Sequence, residues 1–298
     1  MTVPKFAARH VGKVEPGSEQ WLGLMTGSKV AAVLGLSPYE SRFSLWHRMN
    51  GSVGAQEHNA AMDRGNELEA AIVSRFARTH PDLRVQRTGL WTSRSLPWAA
   101  VSPDALAQDR DSGRWSLIEA KTAAVEDEWG ADGSADIPVY YRAQVMWAMH
   151  ILGLRTCHLP ALLGRLQFRT YTIAYDLVEA LAIEDQCREF MTSIDAGQRP
   201  SIDAHAQTYA VIKELHPDID GTEFELSTDL AHQFITAKTS LKAAKEHADL
   251  VTNLVADAMG TAHKATYAGL TLARRQAKNG GTPYLVSATK LPQLGAAA

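Results

Sequence analysis

The sequence predicts an α/β core over residues 1–200, a linker over 201–225, and a helical extension with a basic β-hairpin tail over 226–298. Three observations predict it. Apolar residues recur at helical spacing before residue 80 and again after 138. Between 83 and 122 the period changes to that of strands separated by turns. Beyond residue 226 the apolar spacing becomes a strict alternation of four and three.

The elements follow in order. TGSKVAAVLG opens a helix with Thr26, Gly27 and Ser28 as capping chemistry, continues through Val30, Ala31, Val33 and Leu34, and stops at Gly35. Ser37-Pro38 restarts the chain, and Phe43, Leu45 and Trp46 pack a short helix ending near Gly51. The helix over 61–79 carries Leu68, Ile72 and Phe76 on one stripe and ends before Pro81. Strands are expected around Val85, Leu90 and Trp91, from Trp98 to Val101, and from Trp115 to Ala120, with turns at Pro97, Pro103 and Gly113. A helix over 138–153, a strand over 168–175 and a helix over 176–196 complete the core.

Gly197, Pro200, Pro217 and Gly221 mark the linker. After it, Leu230, Phe234, Ala237, Leu241, Ala244, Ala248, Val251, Val255 and Ala258 form a heptad seam. Such a seam packs on its own domain or on a second helix of a coiled coil. The segment 264–290 holds Lys264, Arg274, Arg275, Lys278 and Lys290 and no acidic residue.

Composition excludes some classes and disfavours others. Hydrophobic residues make up 45% and charged residues 21%, which fits a soluble globular protein. The net charge of −3 does not mark a nucleic-acid binder, so a DNA enzyme must gather its cations locally. Cys157 and Cys187 are too few for a four-cysteine zinc or iron–sulfur site and fit a reducing compartment. The N-terminus lacks the apolar core of a signal peptide. The best apolar run, Val145 to Leu154, falls well short of the roughly 18 residues that span a bilayer. A cytoplasmic protein without a membrane partner is expected.

The informative segment is SPDALAQDRDSGRWSLIEAKT. Side chains alternate along a strand, so Glu119 and Lys121 project from one face with Leu117, while Ile118 and Ala120 face the other way. Asp104 follows Pro103 at a corner that can aim it at the same spot. Two carboxylates and a lysine suit metal-assisted phosphodiester hydrolysis. Hard oxygen ligands hold Mg²⁺ or Mn²⁺, and the lysine orients water or neutralises developing charge. The other reading is a surface strand with an ion pair.

Three neighbours add to the set. Glu69 lies about 60° from Ile72 around its helix, at the border of the buried face, whereas Glu67 lies about 140° away. Glu69 can then reach a metal, or pair with Arg64 or Arg75. Gln144 shares a stripe with Ala148 and Ile151, so its amide faces inward to a catalytic water or to Lys121, or is simply a satisfied core amide. Ser28, at a helix start, is either a phosphate contact or only a cap.

The ordered segments WLGLMTGSKVAAVLGLSPY, RGNELE, SPDALA…LIEAKT and YYRAQVMWAMHILG resemble the YqaJ-like viral recombinases. These are relatives of the phage lambda exonuclease within the PD-(D/E)xK nucleases. The resemblance spans about residues 18 to 200. It implies a restriction-endonuclease-like core, a central mixed sheet flanked by helices. It implies Mg²⁺-dependent, 5′-to-3′ resection of one strand of linear duplex DNA, with two ions at the site, and 3′ tails passed to a single-strand annealing recombinase. By motif, Asp104 and Glu119 are the metal carboxylates with the Ala120 carbonyl and Glu69 beside them, Lys121 is the catalytic lysine, and Gln144 the motif glutamine. Tyr141 and Ser28 correspond to DNA and phosphate contacts. A homo-oligomer, a trimer in the lambda enzyme, is implied by resemblance alone.

Two departures stand out. Relatives carry an arginine between the positions of Trp21 and Ser28, and this chain has none, which leaves Lys29 or Arg42 as substitutes. Ala105 follows the aspartate where glycine is usual. The competing functions are an endonuclease on the same core and a non-catalytic DNA-binding assembly module.

Overall fold

A computed structural model describes residues 6–55, 59–164, 166–289 and 291–292. The chain divides into two compact units, Met1–Ile219 and Asp220–Ala298.

The first unit starts with strand β1 (Ala8–Gly12), the single-turn helix α1 (Glu19–Leu22), α2 (Gly27–Val33) and α3 (Arg42–Met49). A twenty-residue helix, α4 (Ala60–Thr79), follows, capped at its start by the Asn59 side chain. Next come β2 (Leu83–Arg87), β3 (Leu90–Ser93), β4 (Ala100–Val101), β5 (Ala105–Asp109), β6 (Trp115–Ile118) and β7 (Lys121–Ala123). Helix α5 (Val139–Leu152), strands β8 (Thr156–Leu163) and β9 (Gln167–Ala174), and helices α6 (Leu177–Asp195) and α7 (Ala206–Leu215) complete it.

The main sheet is mixed. β2, β5 and β6 run antiparallel in turn, β6 and β7 both pair parallel with β8, and β9 closes antiparallel on β8. β1, β3 and β4 form a separate small antiparallel sheet. The α/β class with a mixed central sheet and flanking helices is therefore as the sequence predicts.

The two faces of the main sheet pack differently. Leu106 and Leu117 join the large core built around α5, whose Val145, Met146, Trp147, Ala148 and Met149 are all buried. Ala105, Ala107, Ile118 and Ala120 face α4 and meet its Ile72, Val73 and Phe76. This is the predicted alternation of Leu117 against Ile118 and Ala120.

β6 and β7 are one strand line with a break. Leu117 lies opposite Cys157 and Lys121 opposite Ala161, so the register is unchanged across Glu119 and Ala120. The ladder supplies the cause. The Glu119 N–H donates to the His158 carbonyl at 3.2 Å, and the next donor toward this line would be residue 160, which is a proline without an N–H. The stretch TCHLPALL carries no expected strand, and a proline is unusual in a central strand. Here Pro160 is tolerated, since its missing donor falls at the gap.

The expected linker over 201–225 is corrected in part. It contains α7, which packs on α3. Val211 is fully buried, and the Thr208 and Ser41 hydroxyls hydrogen-bond at 2.7 Å. Pro200 and Pro217 bracket this helix rather than marking a continuous loop.

The second unit holds α8 (Thr228–Met259), β10 (Lys264–Tyr267), β11 (Leu270–Gln276) and β12 (Tyr284–Ser287). Ser227 caps α8, and none of its thirty-two residues is buried. The tail is a three-stranded antiparallel sheet in the order β10-β11-β12, one strand more than the expected hairpin. Ala268 and Gly269, both at positive φ, make the tight turn between β10 and β11. Lys290 lies outside the described residues.

Candidate active site

The carboxylates meet where the sheet opens. Asp104 precedes β5, Glu119 follows β6, and Lys121 starts β7. Trp147 of α5 donates to the Ala100 carbonyl at 3.0 Å, which anchors β4 just before the Ser102-Pro103-Asp104 corner. Asp104 Oδ2 accepts the Ala120 N–H at 2.7 Å. That amide points away from β8, toward Asp104, and the Ala120 carbonyl shares its strand edge. Lys121 Nζ donates to Glu119 Oε1 at 2.8 Å, and the Gln144 amide donates to the same oxygen. Glu119 is only 4% exposed.

This arrangement stores electrostatic strain. Asp104 keeps a partly open edge, yet burial pushes its carboxyl well above the usual range, and the Glu119 charge pushes it further. Burial alone would lower Lys121, but the Glu119 and Asp104 charges reverse that and hold it protonated. Cys157, opposite Leu117, is buried, and its thiol is raised first by burial and then by Glu119, so it is an unreactive neighbour.

The donor set fits one hard cation. Two carboxylates and a backbone carbonyl are what Mg²⁺ takes from a protein when waters or phosphates fill the remaining positions. A cation would also relieve the repulsion that raises Asp104. Among the described residues, no group of three or more acidic, histidine or cysteine side chains gathers as a metal cluster.

Glu69 explains that gap. It comes from α4, on the other face of the sheet, and its charge reaches Asp104. Its carboxylate is held by Arg87 at 2.5 Å, rather than by Arg64 or Arg75. The structure thus assembles the pair Asp104 and Glu119 and leaves Glu69 beside it, tied elsewhere. Glu67 is exposed, as its helical phase predicts.

Gln144 faces inward, but to Glu119 rather than to Lys121. The Tyr141 ring lies 4.9 Å from Lys121 Nζ, a cation–π contact on the site wall. Helix α2 starts against the same wall. A Cβ on Gly27 would stand 3.3 Å from Gln144 Cγ, tight enough to push that side chain by a few tenths of an ångström, and 3.5 Å from the Gln144 carbonyl, an ordinary contact. Ser28 is exposed at this helix start and sits 3.1 Å from the Thr26 hydroxyl.

The two substitutes for the missing arginine are corrected. Lys29 is 1% exposed, and its ammonium donates to the Trp21, Leu22 and Leu24 carbonyls at 2.7, 3.3 and 2.6 Å. It also lies 3.8 Å over the Trp21 ring. Burial lowers it to about 7, and the three acceptors favour its protonated form. All three donors are spent on the chain turn after α1, so none remains for a phosphate. Arg42 donates to the Val33 carbonyl at the end of α2 and to Gln186, with Glu189 at 3.5 Å. It clamps α2 to α6 instead.

Three participants escape sequence reasoning. Arg87, which captures Glu69, carries no local signal. Tyr39 is exposed and meets Tyr140 edge-on at 5.9 Å between ring centres, and Tyr140 in turn touches Tyr141 at 4.4 Å. The adjacent tyrosines of YYRAQ hint at this wall, but no spacing rule joins them to residue 39.

Residues 18–155 match the family model of the YqaJ-like viral recombinase domain. No functionally curated protein matches the chain. Among solved structures, an alkaline exonuclease from Laribacter hongkongensis is similar at 23% identity over 61% of this chain and 94% of its own, with a TM-score of 0.45. Its complex with dAMP is similar at 22% identity over 62% and 94%, with a TM-score of 0.47. A putative exonuclease from Eubacterium rectale is similar at 14% identity over 72% and 95%, with a TM-score of 0.45.

Proposed function

With a YqaJ-like viral recombinase domain in residues 18–155 as the premise, we propose that this chain is a Mg²⁺-dependent DNA exonuclease. It removes one strand of linear duplex DNA in the 5′-to-3′ direction. The 3′ single-stranded tails it leaves serve a single-strand annealing recombinase of phage-type recombination. The observation that carries the reading is the buried pairing of Asp104 and Glu119 with Lys121 drawn onto Glu119.

Asp104, Glu119 and the Ala120 carbonyl would hold the ion. Bound Mg²⁺, or Mn²⁺ in its place, supplies charge neutralisation and a water of lowered pKa. Glu69 would contribute to a second ion only by leaving Arg87. Gln144 fixes the rotamer of Glu119. Lys121 stays protonated and places its charge where the attacked phosphate gathers negative charge. Tyr141 holds Lys121 from one side, and exposed Ser28 stands at the rim for a phosphate oxygen. A homo-oligomer acting at duplex ends and a cytoplasmic location belong to the same reading. No helix among the described residues is long and apolar enough to cross a membrane.

Linear and covalently closed duplexes test this side by side in Mg²⁺. The reading expects loss of one strand from the linear form and an intact circle. Equal cutting of the circle would establish the endonuclease instead. Absence of both Mg²⁺ binding and hydrolysis would leave a DNA-binding assembly module.

A further inference from the structure

The second unit carries a charged face that the active site does not use. Residues 258–298 hold five Lys or Arg and no acidic residue, in a chain whose net charge is −3. The ladder sorts these cations by face. Lys264 lies directly opposite Arg274, which lies opposite Val286, and Gln276 lies opposite Tyr284. These five side chains share one face of the sheet. Ala265, Ala273 and Leu285 share the other with Arg275, which donates to the Gly260 carbonyl at the end of α8.

The first face is the open one. Lys264 and Arg274 are exposed, and among the described residues neither side chain has an ion-pair or hydrogen-bond partner. Like charges directly opposite on neighbouring strands repel and weaken a sheet. An anion bridging the two removes that repulsion. Beside them Tyr284 is 48% exposed, and its hydroxyl is held by the Gln276 amide at 3.0 Å, which presents the ring instead of leaving it free. Paired cations next to a fixed, exposed aromatic ring match a nucleic-acid strand, with phosphates on the cations and a base on the ring.

We propose that the Lys264, Arg274 and Tyr284 face of this sheet binds single-stranded DNA, separately from the nuclease centre. It rests on the reading of the chain as a DNA enzyme and adds a second contact for the strand that hydrolysis leaves behind. A duplex offers phosphates but keeps its bases stacked inside, so the tyrosine favours the single strand.

Fluorescence anisotropy of a labelled single strand with the full chain in EDTA reads binding without hydrolysis. Lys264→Gln with Arg274→Gln is expected to weaken binding and to flatten the slope of log affinity against log salt by about 1.4, for two phosphate contacts. Tyr284→Ala is expected to weaken binding roughly tenfold with little change in that slope. Lys264→Glu gives Arg274 an opposite charge across the strand, so it keeps the sheet folded and should still lose affinity. Wild-type affinity and slope in the double variant would overturn the proposal. So would equal losses for duplex and single strand with Tyr284→Ala silent, or wild-type binding to anionic vesicles and not to DNA. Hydrolysis of linear duplex in Mg²⁺ is scored separately, so a chain that binds DNA through this face without cutting it would reject the nuclease reading alone.

Discussion

At the residue scale, Asp104 is held against its own chemistry. Burial and the Glu119 charge both favour its neutral form in the absence of a cation. A carboxyl whose folded pKa is raised binds its proton more tightly in the folded chain. Stability is therefore greatest below the unfolded value of about 3.9 and falls as pH climbs toward the folded value. Asparagine at this position does not ionise and can still accept the Ala120 N–H. Asp104→Asn is expected to melt higher than the wild type in EDTA, with a gap that opens above about pH 4 and levels off past the folded pKa. Each 1 kcal/mol relieved should appear as about 2–4 °C. Mg²⁺ should narrow the gap by stabilising only the wild type. A variant that melts lower at neutral pH would show that Asp104 is not strained. The positions of Asp104, Glu119 and Lys121 were legible because strand alternation and one proline corner are local rules. The capture of Glu69 by Arg87 was not, because it joins α4 to a strand eighteen residues on through a packing that no spacing encodes.

At the element scale, the site depends on how α2 meets α5. Gly27 brings the start of α2 against Gln144, and Gln144 in turn holds Glu119. Gly27→Ala forces a few tenths of an ångström into that contact. Its expected effect is a fall in kcat on the order of tenfold, with the melting temperature nearly unchanged. A proportionate loss of both would make Gly27 a packing residue only. Helical phase predicted the inward turn of Gln144, and the capping pattern predicted α2. Lys29 broke the expectation attached to it. A lysine next to a helix start reads as a solvent cation, yet the three carbonyls around Trp21 draw it inside. Strand β8 was not assigned from the sequence at all; its Pro160 is accommodated because the partner line breaks at Glu119 and Ala120, where no donor is needed.

At the scale of the whole molecule, the candidate site belongs to the first unit, and the second unit carries a cluster of cations of its own. The heptad spacing predicted α8 closely, and the strand-like AGLTLAR with the glycine pair at 280–281 predicted a β-hairpin in this cation-rich segment. The boundary between units was harder to read, because Gly and Pro flank α7 on both sides. Two truncations test it. A chain ending at Ile219 keeps α7 and is expected to fold and retain Mg²⁺-dependent hydrolysis. A chain ending at Pro200 loses the burial of Val211 and the Thr208 bond to Ser41. It should lose about 2–3 kcal/mol from the valine alone, read by denaturant unfolding. Equal stability of the two truncated chains would return α7 to the linker.

The most direct measurement is single-turnover hydrolysis of a linear duplex in Mg²⁺ by the wild type and Lys121→Ala. The wild type is expected to cut only with the metal. The variant, folded by its melting curve, is expected to be slower by about 10²–10³-fold, the loss that follows when a positioned charge is removed from a transition state. A variant that cuts at the wild-type rate would contradict this, and so would a wild type that hydrolyses equally well in EDTA.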